Sequence, residues 1–103
     1  MSKFWELSLS PRDVRILKYI IDSHERRNVS PTYREILLKF KFSSTEQVIR
    51  STNRLKLRGL LENDPKLYRN YRNLYPTDLA SKYINEMLQD LEYFESPDEG
   101  AEI

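Results

Sequence analysis

Ser43-Ser44-Thr45-Glu46-Gln47-Val48-Ile49-Arg50-Ser51-Thr52-Asn53-Arg54-Leu55-Lys56-Leu57-Arg58-Gly59 is the stretch around which the rest of the chain is organised. Ser43 and Glu46 stand at capping-box spacing, so the hydroxyl can accept from the Glu46 amide while the carboxylate reaches back to the Ser43 amide. Gly59 supplies a left-handed stop without a Cβ clash. Between these marks Val48, Thr52 and Leu55 fall on one line at about 100° per residue, the spacing of a buried stripe. Gln47, Arg50 and Arg54 lie on the opposite side, with Glu46 at the leading edge. Such side chains can read base edges, since Arg pairs with guanine, Gln with adenine, and a carboxylate accepts from cytosine. Any surface helix shows a similar mixture, so the flanking sequence has to decide.

Upstream, a first helix is expected from Pro11 to about Arg26. Ser10 is its cap, Pro11 suits the first position, and Asp13 lies near the positive end of the dipole. Val14, Leu17 and Ile21, flanked by Ile16 and Ile20, form a broad apolar face. His24, the only histidine, reads as a surface residue without partners for catalysis or ligation. Pro31 breaks the chain, and Thr32 with Glu35 form a second capping box that opens a helix from Tyr33 to Phe40. Ile36, Leu37 and Phe40 should face inward, and Lys41-Phe42 turns directly into the organising helix. Two short helices joined by so few residues make a helix-turn-helix.

Downstream the pattern becomes extended. Leu60 to Asn63 can form a strand, Asp64-Pro65-Lys66 is turn chemistry, and Tyr68 to Tyr75 alternates aromatic and polar residues. A hairpin after the reading helix is a wing. Lys66, Arg69 and Arg72 would place positive charge on it, suited to phosphates or a minor groove, and Thr32 and Arg34 join this backbone-contacting set. An ordinary solvated hairpin is the alternative.

Thr77 can cap a last helix from Asp78 to about Phe94. Ala80, Ile84, Met87, Leu91 and Phe94 recur along it at alternating spacings of four and three, a heptad seam widened by Tyr83 and Leu88. This seam is expected either to pair two copies of the chain or to fold back and close the core. The organisation expected is an apolar arm over residues 1–8 containing Phe4, Trp5 and Leu7, a winged helix-turn-helix domain over 9–75, a dimerisation helix over 76–95 and an acidic, disordered tail over 96–103.

Composition fits a nucleic-acid partner. At 103 residues the chain forms one small domain. Its net charge of +1 hides a segregation: sixteen of the seventeen Lys and Arg, but only eight of the sixteen acids, lie between Met1 and Leu74. A basic body with an acidic end suggests a nucleic-acid surface on the body. No cysteine is present, so disulfides and thiolate zinc sites are excluded and a cytoplasmic location is the default. No apolar run reaches the roughly 18 residues of a membrane span, and no signal peptide is expected. The sequence shows no phosphate-cradling glycine loop and has one isolated histidine, so an enzyme, a cofactor and a metal are not expected.

Leu9 to Leu74 resembles the winged-helix DNA-binding domain of the LexA-type repressors. The matching pieces are Leu9-Ser10 with Arg12, Ser30-Pro31-Thr32 with Glu35-Ile36, Phe42 with Ser44, Gly59-Leu60-Leu61-Glu62, and Arg69 with Arg72. The resemblance implies an α+β fold, mainly helical with a small hairpin, and a regulator that binds duplex DNA. The departures are specific. Asn28 and Asn70 stand where the family usually has glycine, and Lys41 replaces a usual glycine in the turn, at a cost of about 1 kcal/mol if that position needs positive φ. Ser44 matches the family's base-contacting set, but Glu46, Gln47, Ile49 and Arg50 do not, so the operator sequence is not inherited. The self-cleaving peptidase domain of these repressors is not expected here, nor is induction by autoproteolysis. The last helix also resembles the dimerisation helix of MarR-type and PadR-type regulators.

The function expected is a sequence-specific transcription regulator, a repressor acting as a homodimer on duplex DNA. It would read bases through Ser44, Glu46, Gln47, Arg50 and Arg54. The alternatives are a winged-helix adaptor that binds protein, or an RNA binder using Tyr68 and Tyr71 to stack on unpaired bases.

Overall fold

The computed structural model of the chain describes residues 9–63 and 74–94. The expected arm, the outer part of the wing with Lys66, Arg69 and Arg72, the tail and the side chain of Phe94 lie outside the described residues. The elements are α1 (Pro11–Arg27), α2 (Tyr33–Phe40), α3 (Thr45–Leu57), β1 (Leu61–Asn63), β2 (Leu74–Pro76) and α4 (Asp78–Phe94). This is a mainly helical winged helix with a two-stranded antiparallel sheet, as the sequence implied.

α1 is the central helix. Its wide apolar face exists because it is covered on several sides, by α2, α3, α4 and β2. Val14, Ile16, Leu17 and Ile20 are wholly buried, joined by Ile36 from α2, Val48 and Leu55 from α3, Leu60 and Leu74 from the wing root, and Met87 from α4. Each such side chain contributes about 1.5–3 kcal/mol relative to exposure. Ser10 accepts from the Asp13 amide at 3.1 Å and Asp13 accepts from the Ser10 amide at 3.1 Å, a full capping box. Thr32 and Glu35 repeat it at the start of α2, with both bonds at 3.0 Å.

The helix ends explain two of the sequence departures, while Asn70 lies outside the described residues. Asn28 closes α1 at φ 61°, ψ 27°, and its amide bonds the His24 carbonyl at 3.0 Å, so asparagine fills the left-handed position that glycine would take. Lys41 closes α2 at φ 58°, ψ 44°. The turn therefore keeps its left-handed geometry even with a side chain present. Gly59 has φ 76°; its amide bonds the Lys56 carbonyl at 3.0 Å and the Leu60 amide bonds the Leu55 carbonyl at 2.9 Å. This paired closure is a Schellman motif and turns the chain from α3 into the wing.

The wing root is fixed by side chains from elsewhere. β1 and β2 pair with Leu61 opposite Pro76, Glu62 opposite Tyr75 and Asn63 opposite Leu74. The Leu74 amide donates to Ser30 Oγ at 3.1 Å, and its carbonyl accepts from His24 Nε2 at 2.8 Å. A carbonyl only accepts, so Nε2 carries the hydrogen. The imidazole also stands edge-on to Tyr75 at 5.0 Å. His24 is thus a half-buried clamp, not the unpartnered surface residue expected from sequence.

Thr77 caps α4 as expected, accepting from the Ala80 amide at 3.2 Å, while its hydroxyl donates to the Gly59 carbonyl at 2.6 Å. Packing answers the choice between pairing and folding back. Ala80, Ile84, Met87 and Leu91 are buried in the chain's own core, and the side of α4 left to solvent carries Lys82, Asn85, Glu86 and Gln89. The seam expected to join two copies is covered within one chain, because α1 offers it the nearest apolar face. These four residues therefore do not present a dimer surface.

Candidate nucleic-acid interface

α3 is sealed on one side and open on the other. Val48, Ser51, Thr52 and Leu55 are buried, whereas Glu46, Arg50 and Asn53 are exposed on the opposite side. The helix is therefore held at its back and presents Glu46, Arg50 and Asn53 on its open side, with the apolar Ile49 and Leu57 exposed beside and beyond them, a form that can enter a groove.

Its N-terminus differs from the sequence reading. The cap residue is Ser44, not Ser43, and its side chain makes no cap hydrogen bond. The Ser43 amide and hydroxyl both donate to Gln47 Oε1, each at 3.0 Å. Gln47 takes the role expected of Glu46, because with Ser44 as the cap it is the third helical residue, and it reaches back over a full turn to Ser43. These bonds engage, in the unbound chain, the oxygen that an adenine-reading Gln47 would use. Its oxygen already accepts twice, whereas a bidentate pair with adenine needs that oxygen as an acceptor. Ser44 and Glu46 stay exposed at the leading end.

Arg54 is tied to α1. Its Nε donates to Asp13 Oδ2 at 2.9 Å and its Nη2 to Asp13 Oδ1 at 3.1 Å. Asp13 also accepts from the Ser51 hydroxyl, so one carboxylate on α1 holds two successive turns of α3. The Asp13 side chain is 1% exposed and that of Arg54 is 45% exposed. Burial pushes the Asp13 carboxyl up, but the bonds from Arg54, Ser51 and the Ser10 amide, with the Arg54 charge, more than offset it and hold it below its ordinary value. Arg54 is raised in turn, chiefly by its bond to Asp13. A guanidinium held in this way is fixed in direction, with its outer donors still open. Lys56, on the same helix, is lowered by burial.

Around α3, Arg34 is exposed near the start of α2, and Thr32 is half-buried with its oxygen engaged in the cap. Arg12 stacks over the Phe42 ring at 4.6 Å, which places a cation beside the turn that feeds α3. No group of three or more His, Cys, Asp or Glu residues that could hold a metal occurs among the described residues. No described helix is long and apolar enough to cross a membrane.

A family model described as the LexA DNA binding domain matches residues 6–70. The chain belongs to the LexA DNA-binding domain family. Among curated relatives, the LexA repressors of Streptomyces coelicolor and Streptomyces avermitilis are each 34% identical to it over 82 residues, covering 72% of this chain and 35% of the relative. The chain spans about a third of the length of these LexA repressors.

Within the LexA domain described here, the residues that sequence reasoning missed as partners are Asp13, Ser51, His24 and Ser30. Signals for two of them were present. Ser10 and Asp13 are spaced three apart at a helix start, and Ser51 sits beside the buried line of Val48, Thr52 and Leu55, where a hydroxyl needs a partner. The bonds to Leu74 span 44 and 50 residues and have no local signature.

Proposed function

We propose that the chain is a transcription repressor that binds a specific duplex sequence, with α3 in the major groove and the wing on the flanking backbone. The observation that supports this reading is the division of α3 into a sealed face and an open face that carries Ser44, Glu46, Arg50 and Asn53 in a LexA-family domain. The relatives' printed name, LexA repressor, supports repression as the outcome of binding. Ser44, Glu46 and Arg50 are the proposed base-reading residues, Arg50 by a fork to guanine. Arg34 and Thr32 are proposed to contact phosphates, together with Lys66, Arg69 and Arg72 of the wing. Two copies on an inverted repeat would set their reading helices about 34 Å apart, one turn of DNA. Two copies are proposed to act as a homodimer on the operator inside the cell, through surfaces other than the covered seam of α4.

Replacing Arg50 and Arg34 separately by Ala tests the division of labour. Arg50→Ala should cost about 1–3 kcal/mol at one base position, and Arg34→Ala should weaken all sequences alike. Equal losses on specific and random duplex for both variants would reject the reading face and favour a protein-binding adaptor.

A further inference from the structure

Asp13 carries a full charge inside the fold, at the contact between α1 and the side of α3 next to the reading face. A buried carboxylate paired with a single half-exposed guanidinium is a weak way to stabilise a fold, because desolvation offsets much of the attraction. The geometry gives it another use. Arg54 bonds Asp13 through Nε and one hydrogen of Nη2, which takes two of the five guanidinium donors and one edge of the plane. The three donors left include a second fork, Nη1 with Nη2, on a side chain that remains 45% exposed. Arg54 lies one turn beyond Arg50 and is rotated toward α1, at the border of the reading face and not at its centre.

We infer that Asp13 is a positioning residue for DNA binding, which holds Arg54 with its second fork turned outward to clamp a backbone phosphate beside the groove that α3 reads. This rests on the duplex-DNA reading above. A flexible arginine loses rotamer freedom when it binds phosphate, whereas one already tied by two bonds and backed by Ser51 has lost it in the free protein. A planar fork matches two phosphate oxygens, which a lysine at the same place would not do.

The sign of one substitution separates this from simple electrostatics. Asp13→Asn removes a negative charge from the interface, so a purely charge-driven surface would bind DNA more tightly. Positioning requires the opposite. Binding to a selected duplex is measured for wild type, Asp13→Asn, Arg54→Ala, Arg54→Lys and the Asp13→Asn/Arg54→Ala pair, with thermal stability recorded for each. The expected result is a loss of about tenfold for each single variant, no rescue by lysine, and no further loss in the pair. The Arg54 variants alter a half-exposed side chain, so they report even if Asp13→Asn fails to fold. The inference is overturned if Asp13→Asn binds as tightly as wild type or more so, if Arg54→Ala binds normally, or if the two losses multiply. A wild-type protein that binds no duplex would instead overturn the reading of function and this inference with it.

Discussion

The Arg54 guanidinium meets the Asp13 carboxylate edge to edge, with bonds of 2.9 and 3.1 Å that tie the middle of α3 to the start of α1. The carboxyl is held below its ordinary value of 3.8, so in the folded chain it stays charged where the unfolded chain begins to protonate. By linkage its stabilisation is fully present above the unfolded value and is lost as pH falls through the lower folded one. Denaturant titrations from pH 7 to pH 2 should therefore show wild type losing stability below about pH 4, with Asp13→Asn weaker at pH 7 but flatter across that window. At pH 7 the loss should be about 1–2 kcal/mol, held down by solvent screening of the half-exposed Arg54. Parallel curves for the two proteins would contradict the assignment.

The wing root makes a second test. Ser30→Ala leaves the Leu74 amide, and His24→Ala the Leu74 carbonyl, without its bond in a buried setting. Each should cost about 1–3 kcal/mol. In Ser30→Ala the Leu74 amide should also exchange its hydrogen faster than in wild type. Unchanged exchange there would show that another group satisfies it.

Backbone strain at two helix ends predicts opposite signs. Lys41 adopts φ 58°, so Lys41→Gly should stabilise by about 0.5–1 kcal/mol. At Gly59 a Cβ would meet only Leu79 Cδ2 at 3.7 Å, an ordinary contact, so Gly59→Ala should cost about 1 kcal/mol through its φ of 76° alone. Chemical denaturation of both variants checks this, and a destabilised Lys41→Gly would mean that the lysine makes a compensating contact.

Met87 is wholly buried among residues of its own chain. Met87→Ala should therefore cost about 2–5 kcal/mol, and the melting temperature of wild type should not depend on protein concentration. A midpoint that rises steeply with concentration would restore the α4 seam as the joint between two copies.

Much of this architecture is local in origin and was legible before the fold was known. Ser10, Thr32, Gly59 and Thr77 mark helix ends through bonds to residues a few positions away, which is why those boundaries fall where the sequence places them. At the start of α3 the cap falls one residue later than the spacing of Ser43 and Glu46 suggests, so Gln47 and not Glu46 bonds back to Ser43. The heptad spacing of α4 reports that one side must be covered but not by what, and α1 covers it. Arg54 shows the same limit, since spacing places it beside the reading face while only the fold brings it to Asp13, 41 residues earlier. Ser44, Glu46 and Arg50 lie on the open side of α3, so the outline of the candidate interface was legible, whereas the partners behind it were not.

Everything proposed for the chain depends on the open face of α3 reading a duplex sequence. Selection from random duplex, followed by titration of the winning site against scrambled duplex at two salt concentrations, tests it most directly. The expected result is a motif with inverted half-sites, bound about a thousandfold or more above scrambled DNA, with the preference persisting at the higher salt. No recoverable motif, with an affinity that merely collapses as salt rises, would contradict it and leave only a basic surface.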